Sequence, residues 1–213
     1  MARRSSDRRA HWQHVYRSRG AAAVSWYRAH LDTSLALLAE AGMSPGSRLI
    51  DVGGGASTLV DDLLDRGLTD VSVLDVSEEA LALAQRRLGE RAKTVRWYVG
   101  DLLEVELPPA GFDIWHDRAV LHFIIEPAEA ARYARIAASA LPVGGYAVIA
   151  GFAPDGPERC SGLSVARRSA EDIAAIFAPA FALVQKRSEL HRTPSGSDQS
   201  FSYALLQRRD SQT

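Results

Sequence analysis

Leu49-Ile50-Asp51-Val52-Gly53-Gly54-Gly55-Ala56-Ser57 decides how the chain is read. An apolar run ending in an aspartate is a buried strand, and three glycines after it let the backbone turn sharply and approach a ligand with no Cβ in the way. Residues 57–66 then return to helical periodicity and stop at Gly67. The unit is therefore strand, glycine turn, helix.

The same alternation continues outward. Asp70–Val76 reads as a second strand, and Ser77 caps a helix with Glu78 and Glu79 in its first turn and Leu81, Ala84 and Leu88 on one face. Thr94–Gly100 is a third strand ending at Asp101, and Phe112–His116 a fourth. Pro127 opens a helix whose Tyr133, Ile136, Ala137, Ala140 and Leu141 share a face, and Gly144–Phe152 follows as a strand. Residues 169–178 form a helix capped by Ser169. Phe181–Arg192 and Gln199–Arg208 then alternate as strands about a Thr-Pro-Ser-Gly-Ser-Asp turn. Upstream of the decisive stretch, 6–18 and 24–41 read as helices. Five β–α repeats predict a parallel sheet with helices on both faces, and the terminal hairpin adds one antiparallel strand.

Composition agrees with a folded domain. The 213 residues are 46% hydrophobic and 24% charged, with a net charge of −1. A chain of this length buries about 70% of its unfolded surface, so a hydrophobic core suffices. No apolar run reaches the roughly 18 residues of a membrane span, and no secretory signal is visible. One cysteine, Cys160, excludes an internal disulfide and points to a reducing, cytoplasmic setting. The near-neutral charge argues against nucleic acid, and the basic run Arg3, Arg4, Arg8, Arg9, interrupted by Asp7, reads as a solvated tail.

In a sheet of this kind, ligands bind beyond the carboxyl ends of the strands. Four successive strand ends here present aspartates: Asp51, Asp75, Asp101 and Asp117. Asp75 suits the two hydroxyls of a ribose or the cap of its own helix; Asp101 suits an exocyclic amine. Folding stability alone gives no reason for four such carboxylates.

These residues resemble the class I (Rossmann-like) S-adenosylmethionine-dependent methyltransferases over roughly 45–208. His-Trp12-x-x-x-Tyr16, Ser-Trp26-Tyr27, Asp117-Arg118-Ala-Val-Leu-His122-Phe and Gly156-Pro-Glu-Arg159-Cys160-Ser-Gly are similar to a bacterial type-12 subgroup, and more loosely to thiopurine and thiol methyltransferases. The resemblance implies a seven-stranded, mostly parallel sheet with a C-terminal antiparallel hairpin, residues 1–44 as a helical cap over the cofactor site and 45–213 as the cofactor-binding domain. It implies S-adenosylmethionine as cofactor, with Asp51 fixing the loop, Gly53, Gly54 and Gly55 along the methionine part, Asp75 and Val76 at the ribose, Asp101 and Leu102 at the adenine. The third glycine of the family's turn is Ser57 here.

Methyl transfer from a sulfonium needs alignment and exclusion of water, with a base only where the nucleophile arrives protonated. No dense His/Asp/Glu cluster suggests a metal, so transfer is expected to be metal-independent. Asp117, Arg118 and His122 are the candidates near the reacting methyl; Arg118 and His122, four apart, would share a helical face, and Arg118 could hold an anionic acceptor or pair with Asp117. His116, opposite in the strand, reads as structural. Trp26, Arg159 and Cys160 are candidate acceptor contacts, and Trp12 and Tyr16 would close the site, with Asp117 also near the cofactor. Tyr27 reads as core.

The expected acceptor is the S, N or O atom of a small molecule, handled by a monomer or homodimer. Protein lysine methylation stays open. Gly53-x-Gly55-x-x-Thr58 also approaches a nicotinamide dinucleotide turn, but Tyr-x-x-x-Lys is absent; a catalytically silent cofactor-binding subunit is the remaining alternative. DNA base methylation is disfavoured, because Asp117-Arg118-Ala119-Val120 stands where Asn- or Asp-Pro-Pro-aromatic would be.

Overall fold

The computed structural model describes residues 5–19 and 24–210. Helix α1 (Ser5–Arg19) and α2 (Asp32–Glu40) precede strand β1 (Arg48–Val52). There follow α3 (Leu59–Asp65), β2 (Asp70–Asp75), α4 (Glu78–Leu88), β3 (Val95–Val99), β4 (Ile114–Arg118), α5 (Pro127–Ala140) and β5 (Tyr146–Phe152). A short ribbon of β6 (Arg159–Cys160) and β7 (Leu163–Ser164) leads to α6 (Ala170–Phe177) and the long hairpin β8 (Phe181–Arg192) and β9 (Asp198–Arg208).

The sheet has seven strands in the order β3-β2-β1-β4-β5-β9-β8. β9 runs antiparallel to both neighbours, β5 and β8, as the single reversed strand of the sheet. Both hairpin strands join the sheet, β9 inserting between β5 and β8.

Strand alternation makes two apolar layers. Leu49, Val73, Val148, Ala150, Tyr203 and Leu205 face α2, α3 and α4. Ile50, Val52, Trp115, Ala147, Ile149, Ala204 and Leu206 face α5 and α6. Helix starts follow capping chemistry: the Ser77 side chain accepts from the Ala80 amide, and Ser169 with Asp172 closes a reciprocal capping box. Pro127 occupies the first turn of α5, where its missing N–H costs nothing.

Two expectations need correction here. Residues 24–41 are not one helix: only Asp32–Glu40 is helical, and Val24–Leu31 is irregular. Tertiary ties hold that segment instead, with Arg118 donating to the Trp26 carbonyl and His191 to the Ser25 carbonyl. The fourth strand also lies two residues later than read, at Ile114–Arg118. Arg118 is thus the last strand residue and His122 sits in the 3-10 turn Leu121–Phe123, so the two share no helical face.

Candidate functional site

Register brings the strand ends together. Val52 pairs with Leu74 on one side and Asp117 on the other, and Asp75 pairs with Val99. The residues immediately beyond these positions therefore emerge at one level. Gly53, Gly54, Asp75, Val76, Asp101 and Leu102 line a single cleft, together with Asp51, Trp12, Tyr16, Trp26 and Cys160.

The glycine turn is shaped for close approach. Gly53 has φ +69°, and a Cβ there would lie 2.0 Å from Val120 Cγ2. Gly55 has φ +42°, and a Cβ there would lie 2.7 Å from Asp75 Oδ2 and 3.2 Å from the Tyr16 hydroxyl. These positions favour glycine by conformation and by space. Gly55 does not itself line the cleft but lets Asp75 and Tyr16 close over the turn. Ser57, at the third glycine position, continues the turn by donating its amide to the Gly54 carbonyl at 2.7 Å.

Each carboxylate has a partner. Asp51 Oδ1 meets His116 Nδ1 at 2.7 Å, and His116 Nε2 meets Ser34 Oγ at 2.9 Å, so His116 is a structural brace for the loop-bearing strand. Asp75 Oδ1 accepts from the Ser77 amide at 2.7 Å. The helix cap is Ser77, not Asp75. Burial, assisted by the nearby Asp51 charge, pushes the Asp75 carboxyl up to about 7, against the pull of its backbone donors. Asp101 Oδ1 accepts from the Leu103 amide, and Oδ2 accepts from Arg8 Nε at 2.7 Å.

Arg8 was not legible as a site residue, and the solvated-tail reading fails for it. It reaches from α1 to Asp101 and also to Glu129, at 3.2 Å from the nearer oxygen. Arg3 and Arg4 lie outside the described residues.

An aromatic wall lines the same cleft. The Trp12 ring packs edge-on against Trp26 at 5.7 Å and Phe123 at 5.0 Å, and Tyr16 against Trp26 at 6.2 Å. Trp26 hydrogen-bonds the Tyr16 hydroxyl, while burial and Asp75 hold that phenol well above its ordinary value. Tyr27, read as core, is a cleft residue. Phe123, Val120 and Arg28 also line the cleft and were missed; Phe123 stood next to His122 in the quoted stretch, and Arg28 carried no signal.

The residues picked as catalytic fare differently. Strand alternation sends Trp115 and Asp117 toward α5. Asp117 is fully buried outside the cleft, where it accepts from the Val120 and Leu121 amides and from the Tyr133 hydroxyl, which in turn accepts from Trp115 Nε1. His122 is likewise buried off the cleft between Phe123 and Phe152, its ring driven down to about 3 by burial and by Arg118 and Arg168. Neither group faces the cleft to act as a base or contact an acceptor. Arg118 does line the cleft but pairs with Glu189, not Asp117. Arg159 is exposed on the β6–β7 ribbon, donating to the Gly162 carbonyl at 2.5 Å away from the cleft. Cys160, beside it, is buried at the cleft.

Comparison with known proteins agrees with this geometry. Residues 49–145 match the model described as a methyltransferase domain. The mouse eEF1A lysine and N-terminal methyltransferase is 26% identical over 119 residues, 56% of this chain and 17% of that protein. The chain thus spans less than a fifth of that relative's length. The solved Burkholderia thailandensis 1,6-didemethyltoxoflavin-N1-methyltransferase, with bound 1,6-didemethyltoxoflavin and S-adenosylhomocysteine, superposes with a TM-score of 0.74 at 21% identity, over 99% of this chain and 92% of that one. The N-methyltransferase NodS from Bradyrhizobium japonicum, in complex with S-adenosylhomocysteine, gives 0.70 at 15% identity, over 93% and 98%. Residues 49–145 thus read as a methyltransferase domain, and the doubly wound sheet with its reversed strand is the fold shared with these solved methyltransferases.

Proposed function

We propose that the protein transfers a methyl group to a sulfur, nitrogen or oxygen atom of a small-molecule acceptor, without a metal. One observation carries the reading: the glycine turn, Asp75, Asp101 and the Trp12–Tyr16–Trp26 wall line the same cleft.

The residues fit an adenosyl ligand. Asp75 Oδ2 faces the glycine turn with no side chain between, where two ribose hydroxyls can donate to it. Asp101, with Leu102 beside it, suits the adenine amine, which would share or take over Oδ2 from Arg8. Gly53 and Gly54 leave backbone open to the methionine part. When bound, S-adenosylmethionine supplies an electrophilic methyl on a sulfonium. The chain's own work is to align and to keep water out. Trp12 and Tyr16 from α1 do the second, as a lid over the strand ends.

The acceptor side carries a chemical hint. Asp51, Asp75 and Asp101, the carboxylates lining the cleft among the described residues, are braced by His116, the Ser77 amide and Arg8, and face the adenosyl end of the reading. The remaining wall is largely aromatic and apolar, so the acceptor should arrive with its lone pair free, as a thiolate or a weakly basic nitrogen does. A lysine ammonium, with a pKa of about 10.4, would need a base to remove its proton first. Protein lysine methylation is kept as the second reading because proteins named eEF1A lysine and N-terminal methyltransferase match 119 residues here, 17% of the mouse protein's length.

Calorimetric titration with S-adenosylhomocysteine and with NAD tests the cofactor assignment: the first should bind and the second should not. A labelled-methyl screen over thiols, amines, phenols and protein lysates then tests the acceptor. Label on small molecules supports the proposal; label confined to protein lysine overturns it in favour of the second reading. Binding with no turnover on any acceptor would make the chain a silent subunit.

A further inference from the structure

We infer that the C-terminal hairpin sets the aromatic wall of the cleft: Glu189 and His191 on β8 are positioning residues that hold Trp26 in place through Arg118 and the backbone of the irregular segment. The inference rests on the functional reading only in taking that cleft as the reaction site.

The segment from Val24 to Leu31 has no helix or strand to define its path. Within it, the one backbone hydrogen bond is the turn from the Tyr27 amide to the Val24 carbonyl. Its position is therefore set by what grips it from outside. Arg118 Nη1 donates to the Trp26 carbonyl at 3.1 Å, and His191 Nε2 donates to the Ser25 carbonyl at 2.7 Å. The grips flank the peptide that carries the Trp26 ring.

Arg118 is itself held on several sides. Its Nε donates to the Tyr203 hydroxyl at 2.9 Å, its Nη2 lies 3.3 Å from Glu189 Oε1, and its guanidinium sits 4.3 Å from the Phe201 ring centroid. Tyr203 donates in turn to Glu189 Oε2 at 3.2 Å. Glu189 Oε1 also accepts from Arg28 Nη1 at 3.2 Å. The Arg118 and Glu189 side chains are only 5% and 7% exposed, so the pair is largely shielded from salt and water. One carboxylate thus keeps two arginines together, one at each end of the peptide Trp26–Arg28. Neutralising it leaves two neighbouring cations with no shared counter-charge, and the Arg118 and Arg28 ties to the segment loosen together.

Glu189, His191 and Tyr203 do not line the cleft, so their substitution should act on the wall and leave cofactor affinity alone. The test uses the full chain labelled with 5-fluorotryptophan, whose four residues give separate fluorine resonances, with Trp26 assigned through W26F. In E189Q the Trp26 resonance should shift or broaden while the Trp97 and Trp115 resonances stay in place. In the same sample S-adenosylhomocysteine affinity should stay within about threefold, less than the tenfold that 1.4 kcal/mol would bring. H191F should act like E189Q, whereas H191Q, which keeps a donor for the Ser25 carbonyl, should restore the wild-type resonance. If E189Q does not fold, Y203F removes a smaller part of the same network and should move the Trp26 resonance in the same sense. An unmoved Trp26 resonance in the folded variants, or a general shift of all four resonances, overturns the inference. A wild-type chain that fails to bind S-adenosylhomocysteine overturns the functional reading instead and leaves the resonance result to stand or fall by itself.

Discussion

Arg8 Nε donates to Asp101 Oδ2 at 2.7 Å across 93 positions of sequence, tying α1 to the end of β3. The same guanidinium reaches Glu129 on α5, so one side chain spans the cleft's rim. Arg8 is about a fifth exposed, and part of each bond's strength is lost to solvent screening. We expect Arg8→Ala to release α1 locally, with amide exchange of residues 5–19 faster by about fivefold, the equivalent of roughly 1 kcal/mol. The global unfolding midpoint should move little. Hydrogen exchange by mass spectrometry checks this, and unchanged protection of α1 would show that its aromatic face alone holds it.

We expect Asp75 to make cofactor binding depend on pH. Its carboxyl is raised by burial to about 7 in the ligand-free protein, against an ordinary value of 3.8. A raised carboxyl favours its protonated form in the fold, so the stability it contributes is full below pH 4 and is lost as pH climbs through about 7. Ribose hydroxyls donate best to the charged form. S-adenosylhomocysteine should therefore bind more tightly at pH 8 than at pH 6. Asp75→Asn should flatten that profile, and Asp75→Ala should weaken binding by roughly 1–3 kcal/mol. Calorimetry at several pH values reads both; an Asn variant that keeps the wild-type slope assigns the titration to another group.

Gly53→Ala meets two obstacles at once, a φ of +69° and the Val120 side chain 2.0 Å from the new methyl. The left-handed conformation alone costs about 1–2 kcal/mol for an L residue. Cofactor affinity should fall at least tenfold while the protein stays folded. Adding Val120→Ala should recover part of the loss, because it removes the collision but not the backbone strain. A double variant no better than the single one would place the whole effect in the backbone.

Tyr133→Phe tests the buried chain from Trp115 through Tyr133 to Asp117, with links of 2.9 and 2.7 Å. Removing the hydroxyl leaves the indole N–H without its acceptor and takes one donor from a fully buried carboxylate. Stability should drop by about 1–3 kcal/mol in denaturant melts. S-adenosylhomocysteine affinity should be unchanged, since none of the three residues faces the cleft. A large affinity loss would return Asp117 to the cofactor site.

The strands and most helices were legible because their cause is local. Period-two alternation through Phe201, Tyr203 and Leu205, a serine at position 77 before two glutamates, and glycines after Val52 each carry their meaning in a few neighbouring residues. The convergence of Gly53, Asp75 and Asp101 was legible for a related reason: parallel strands joined by right-handed crossovers must present their carboxyl ends on one side. Reading Val24–Leu31 as helix failed because apolar spacing there serves the cleft and the core together, and outside side chains decide its path.

The amino-acid sequence by itself determined the strand succession, the glycine turn and the row of aspartates, since those depend on backbone sterics and on alternation that neighbouring residues express. Only the tertiary structure decided which polar groups face the cleft. Asp117 and His122 turn into the core and Arg118 turns to Glu189, 71 positions away, while Arg8 reaches Asp101 from the far end of the chain. A buried charge must find a partner wherever the packed fold brings one, and the distance along the chain carries no trace of that choice.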